Sequence, residues 1–111
     1  MSNPSRAKGT AWEVAVRDYL QGRGWSECQR LATRAALDLG DLTGIPRFAL
    51  ECRDRKKVEL STNLDDAEER AVHKKADWGV AIMKRPRRPV EGAYVLMSMA
   101  TFADILDELP A

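Results

Sequence analysis

A chain of 111 residues with 44% hydrophobic and 32% charged side chains is long enough for one globular domain, too short for two and too apolar for a disordered tail. Its formal net charge of +1 selects no polyanionic partner by itself, and no apolar run approaches the ~18 residues that cross a bilayer. Met1 to Lys8 reads as a polar, flexible segment with no secretory signal, and Cys28 and Cys52, at no zinc spacing and too few for a disulfide framework, suit reduced thiols in the cytoplasm.

Along the chain, Arg6 to Arg23 reads as a helix. Trp12, Ala15, Val16, Tyr19 and Leu20 form one apolar stripe, and Gly22 and Gly24 end it. Ser26 to Arg34 alternates loosely, as a strand would. Asp38 to Leu42 and Arg47 to Arg53 read as two strands joined at "TGIP", where Gly44 and Pro46 are turn residues. Ser61, Thr62 or Asn63 can cap a second helix over 64–75, with Asp65 and Asp66 near the positive end of its dipole. "WGVAIM", Trp78 to Met83, is nearly continuous in apolar character and reads as a strand covered on both faces. The loop "KRPRRPVEG" leads to a strand from Ala93 to Met97. A last helix, Ala100 to Leu109, carries Phe102, Ile105, Leu106 and Leu109 on one side. The order αβββαββα gives an α/β domain, a mixed sheet with helices on both faces.

The near-neutral total hides a separation of charge. Acids gather at Asp65, Asp66, Glu68 and Glu69, and again at Asp104, Asp107 and Glu108. Bases gather from Arg53 to Lys57 and from Lys84 to Arg88, with Arg30 and Arg34 upstream. The fold can therefore present a positive face to phosphate polyanions. Scattered solubilising charge is the competing reading.

Period-two alternation puts Ala49, Glu51, Arg53 and Arg55 on one side of their strand and Phe48, Leu50 and Cys52 on the other. The hairpin-like connection brings Asp41 near Glu51. Two close carboxylates repel unless a proton or a cation lies between them, and hard oxygen donors suit magnesium or manganese. Glu13 lies on the flank of the first helix's stripe, where helix meets sheet. It is placed to orient a metal-bound water or join the coordination sphere, and an ion pair with Arg17 is the alternative. Asp38 fits a turn better than a ligand set, and the tryptophans fit packing better than base stacking.

These residues resemble the PD-(D/E)xK nuclease superfamily, and more closely its small Holliday-junction-resolvase-type nucleases of bacteriophages and archaea. The resemblance runs over most of the chain, through "KGTAWE", "LDLGDLTGIP" and "FALECRDRKK". It implies a restriction-endonuclease-like core, Mg2+ or Mn2+ as cofactor, and phosphodiester hydrolysis in branched DNA; because symmetric cleavage of a four-way junction needs two active sites and one chain has one, a homodimer is expected. The resemblance carries the helix-one Glu onto Glu13, the motif Asp onto Asp41, the second acid onto Glu51 and the motif lysine onto Arg53. In the mechanism expected from these residues Asp41 and Glu51 hold the metal with the Cys52 backbone carbonyl as a third ligand, and Arg53 is catalytic in steadying the phosphoryl charge. That last position departs from the pattern, because arginine stays protonated and cannot serve as a general base. Either the ion supplies hydroxide without it, or Lys56 or Lys57 reaches in, or the chemistry is impaired.

Arg30, Arg34, Lys56, Lys57, Arg85, Arg87 and Arg88 are the expected phosphate contacts. The alternatives are a non-catalytic DNA-binding or assembly domain on the same scaffold, and a repair or restriction-type nuclease acting on duplex.

Overall fold

The structure, a computed structural model, describes residues 4–31 and 40–111. Trp12 and Val16, one helical turn apart, are both buried and set the inward face of the first helix, α1 (Pro4–Gly22). Trp12 also donates its indole N–H to the Ile82 carbonyl at 3.0 Å, which satisfies the one polar atom that burying the ring would otherwise strand.

Five strands follow the expected order: β1 (Gln29–Arg30), β2 (Leu42–Thr43), β3 (Phe48–Arg53), β4 (Trp78–Met83) and β5 (Tyr94–Leu96). They form one sheet in the order β1-β2-β3-β4-β5. β3 and β4 are parallel, from Phe48 opposite Trp78 to Arg53 opposite Met83; the other neighbours are antiparallel. The parallel pair needs a crossover, and α2 (Leu60–Lys74) supplies it. The last helix is α3 (Met99–Glu108), capped by the Ser98 hydroxyl, which accepts from the Thr101 N–H at 3.0 Å. The protein is thus an α/β domain with a mixed sheet and three helices.

Two cores lie on the two faces of the sheet. Leu50, Cys52, Val80 and Ile82 pack with Trp12 and Val16 of α1, while Ala81 and Met83 pack with Ala67 of α2. The α2 side is close-fitting because Gly79 lies against the backbone of the helix. A Cβ at Gly79 would collide with the Ala67 carbonyl. Gly79→Ala is therefore expected to destabilise the protein by about 3 kcal/mol or more, read as a lowered urea midpoint. Gly9→Ala, where a Cβ meets nothing within 4 Å, is the matched control.

Several boundaries differ from the sequence reading. α2 starts at Leu60 rather than 64, with Glu59 at the cap position and no side-chain cap. Ser61, Thr62 and Asn63 are inside the helix, and Asn63 is buried, so its amide faces inward instead of capping. Asp65 and Asp66 consequently lie beyond the first turn. Trp25, expected in packing, is half exposed. The strand read as Ser26 to Arg34 is a two-residue bridge in the described part, because a turn closed by the Cys28 N–H on the Trp25 carbonyl precedes it. Arg34 and Asp38 lie outside the described residues. Among the described residues the apolar side of α3 is left uncovered: Phe102, Leu106 and Leu109 are exposed and Ile105 is half-buried.

Among the described residues, no helix is long and apolar enough to cross a membrane.

Candidate functional site

The carboxyl ends of β3 and β4 carry a cluster of charged side chains around Glu51, the buried charged residue among those described. Asp41 is fixed by backbone before β2 begins. Its N–H donates to the Leu50 carbonyl at 2.8 Å, and its carbonyl accepts from the Leu31 N–H at 3.0 Å. Its Oδ2 accepts the Cys52 N–H at 2.7 Å. Glu51 follows the expected alternation, facing away from Leu50 and Cys52, but α2 covers it and leaves it only 2% exposed. It is a buried carboxylate, not one on an open sheet surface.

Burial of such a group in its charged form is costly unless a cation lies at contact distance. Arg53, two positions along β3, provides it: its Nη2 lies 2.7 Å from Glu51 Oε2. The same guanidinium lies 3.5 Å from Asp41 Oδ2 and 3.5 Å from Asp66 Oδ2, and donates to the Cys52 carbonyl at 3.0 Å. Arg70 approaches from α2, with Nε 3.7 Å from Glu51 Oε1. Burial alone would lower the Arg53 pKa, but Glu51, Asp41 and Asp66 outweigh it and raise it above the ordinary arginine value. Arg53 is a fixed cation.

Glu13 approaches from α1, on the other side of the sheet. It pairs with Arg30 Nε of β1 at 3.2 Å, not with Arg17, which binds its neighbour Asp18 at 2.9 Å. Burial, and next the charge of Asp41, raise the Glu13 pKa, opposed by Arg30 and Arg53. A carboxylate with raised proton affinity is a better proton acceptor than an ordinary one. Cys52 is no nucleophile: burial first, and then the nearby acids, push its thiol far above the usual range.

A cleft of about 330 Å3 opens beside this cluster, lined by Arg53, Arg55, Lys56, Lys57, Glu59, Thr62, Asn63 and Asp66. Lys57 lies 3.7 Å from Glu59 at its rim. Asp54, next to Arg53, holds Lys8 of α1 at 3.4 Å and Lys84 at 3.8 Å, which brings two more cations to the same end of the sheet. Arg85, Arg87 and Arg88 stand on the loop after β4, with Arg85 stacked over the Tyr94 ring at 5.3 Å.

As the side chains stand, no group of three or more His, Cys, Asp or Glu among the described residues is arranged to hold a metal ion. The Arg53 guanidinium fills the space between Asp41 and Glu51. In donor type the cluster still suits a hard divalent cation. Asp41, Glu51 and Asp66 meet Arg53 and Arg70 here, three acidic side chains against two basic ones. An ion entering between Asp41 and Glu51 must displace the guanidinium.

Sequence reasoning did not assign Asp66 or Arg70 to this site, nor Asp54, Glu59, Lys8 and Lys84. For the first two the signal was present. Asn63, Asp66, Ala67 and Arg70 recur at helical spacing with buried Ala67 and Ala71, so one face of α2 carries polar groups toward the sheet. Read as part of a charge run, that face was missed.

A second hollow, at the opposite ends of β3 and β4, is lined by Arg47, Asp77, Trp78, Asp104, Asp107 and Glu108. Arg47 stacks on Trp78 at 4.4 Å and bridges Asp77 to Glu108. That arrangement clamps α3 to the sheet.

Compared with known proteins, the chain matches no family model, no curated protein and no solved structure.

Proposed function

We propose that the protein is a divalent-metal-dependent endonuclease acting on branched DNA such as four-way junctions, on a restriction-endonuclease-like αβββαββα core. One observation carries this reading: Asp41, Glu51 and Arg53 converge beside a cleft that Arg55, Lys56 and Lys57 line on one part and Glu59, Thr62, Asn63 and Asp66 on the rest. Carboxylates whose counter-charge is a single guanidinium, adjoining a cleft with an excess of basic side chains, favour phosphodiester hydrolysis over a purely structural ion cluster.

Asp41, Glu51 and the Cys52 carbonyl are the groups that would hold magnesium or manganese, whose chemistry when bound is to lower the pKa of a water and to offset phosphate charge. Glu13 orients the attacking water and takes up its proton, for which its raised pKa suits it. Arg53, once drawn off the acids, steadies the charge that builds on the phosphoryl oxygens. Arg30, Lys56, Lys57 and the loop residues Arg85, Arg87 and Arg88 hold backbone phosphates, which positions DNA by shape rather than by sequence. Two cuts in one junction require two such sites, hence a homodimer.

A second reading has its own observation. Arg53 stands where the resembled motif has lysine, and it ties both acids down. A DNA-binding or assembly domain without chemistry would keep such a lock.

The deciding experiment presents labelled four-way junction, linear duplex and single strand to the purified protein with magnesium, manganese or chelator. Junction cleavage that stops in chelator supports the nuclease; junction binding with no cleavage under any ion supports the second reading; cleavage of linear duplex at equal rate removes the junction preference.

The basic loop gives a separate test. Replacing Arg85, Arg87 and Arg88 together by alanine is expected to weaken binding to every DNA shape. The slope of log affinity against log salt should flatten by up to ~0.9 for each phosphate that the loop no longer neutralises. An unchanged slope would make the loop a solvated turn.

A further inference from the structure

We propose that the outer side of α3, together with the edge strand β5, is the surface on which a second copy of this chain packs. α3 has ten residues, too short to hold its form in water without tertiary packing. Yet Thr101 is its buried residue, and the helix is tied to the sheet by polar contacts: Trp78 Nε1 to Asp104 at 3.1 Å, and Arg47 to Glu108 at 3.1 Å. Its apolar residues Met99, Phe102 and Leu106, with Leu109 at its C-cap, follow at spacings of three and four and remain exposed, Met99 to 79%.

β5 lies two residues before α3 in the chain. It closes the sheet order after β4, and its sequence is Tyr-Val-Leu, with none of the lysine, proline or bulge that commonly protects an edge. Val95 is exposed and pairs with Ile82. By period-two alternation it shares the sheet face of Ile82 and Trp78, the residue to which Asp104 anchors α3.

The occupant follows from area and symmetry. Val95 with Met99, Phe102, Leu106 and Leu109 exposes roughly 600 Å2, at the upper end of what a monomer leaves exposed. Two such patches bury on the order of 1,200 Å2, the lower bound for a specific, stable pair. An isologous contact covers both patches at once, and an exposed strand edge is complementary to its own two-fold copy, whereas a head-to-tail contact would leave an apolar patch open at each end of a growing chain. The surface deepens the homodimer of the proposed function and rests on that reading in its choice of a second copy; the readout is mass, so the two fail separately.

Light scattering and sedimentation at micromolar concentration test it, with circular dichroism as the fold control. Wild type is expected at twice the 12.4 kDa chain mass. Phe102→Glu with Leu106→Glu is expected to run as a monomer with an unchanged spectrum, its dissociation constant raised by at least about 30-fold. Should that variant fail to fold, Met99→Glu, which touches little in the monomer, is expected to raise the dissociation constant by about tenfold. A wild-type monomer overturns the proposal even if it cleaves junctions. A dimer that Met99→Glu and the foldable double variant leave intact overturns it too. A dimer broken by these changes supports it even where no cleavage is seen.

Discussion

Asp41→Asn is expected to abolish metal-dependent junction cleavage while leaving junction affinity unchanged or slightly tighter, and Glu51→Gln to do the same at a cost in stability. Both changes remove one unit of the negative charge that an ion would balance, and both keep the shape of the side chain. They differ in what else they disturb. Asparagine at 41 still offers an oxygen to the Cys52 N–H, now held at 2.7 Å, so the turn before β2 should survive. Glutamine at 51 leaves Arg53 and Arg70, which lie 2.7 Å and 3.7 Å from the Glu51 oxygens, facing a neutral amide in a buried position. Removing one partner of a buried ion pair costs about 3–5 kcal/mol, so Glu51→Gln should unfold at markedly lower urea. Asp41→Asn is the cleaner probe of chemistry, and Glu51→Gln of the cluster's structural role. Affinity is read by gel shift in chelator and cleavage by single-turnover assay with magnesium. Robust cutting by Asp41→Asn would remove Asp41 from the site.

The elements that the sequence makes legible are those with a long period. Trp12 and Val16 declare the buried face of α1, and the apolar run from Trp78 to Met83 declares a strand covered on both sides, as it is. Alternation correctly separated Glu51 and Arg53 from Leu50 and Cys52. The misses have physical causes. The Ser61-Thr62-Asn63 run has the chemistry of a helix cap, but burial claims Asn63 for the interior and the helix begins earlier. Arg30 was read as a phosphate contact alone and also pairs with Glu13, because strand pairing, not sequence distance, brings β1 beside α1. Amphipathic spacing in α3 signals an apolar side and does not say whose surface covers it. Two close carboxylates were read as demanding a cation; that the chain itself supplies one, Arg53, follows only from side-chain placement.

Arg53→Ala is expected to split two properties that a simple loss of function would move together. The guanidinium is within reach of Glu51, Asp41, Asp66 and the Cys52 carbonyl, so without an ion it acts as the cluster's counter-charge. Taking it away leaves Arg70, among the described residues, as the one cation of this cluster against three carboxylates, and the apo protein should lose stability, since an undercompensated buried charge is costly. Magnesium or manganese, no longer competing with a fixed cation, should bind more tightly and raise the melting temperature more than in wild type. Cleavage should nevertheless slow by ~100-fold or more in single turnover, the loss typical of a preorganised donor aimed at transition-state charge. Arg53→Lys keeps a cation on the same strand position but cannot reach so many acceptors with one ammonium, so it should retain much of the rate and less of the apo stability. Other outcomes separate the readings. If wild type barely cuts and Arg53→Lys restores cutting, Arg53 is a lock on a site whose chemistry has been lost. If Arg53→Ala cuts like wild type, the cation at the phosphate is Lys56 or Lys57, which line the same cleft, and Arg53 serves only to hold the acids until an ion replaces it.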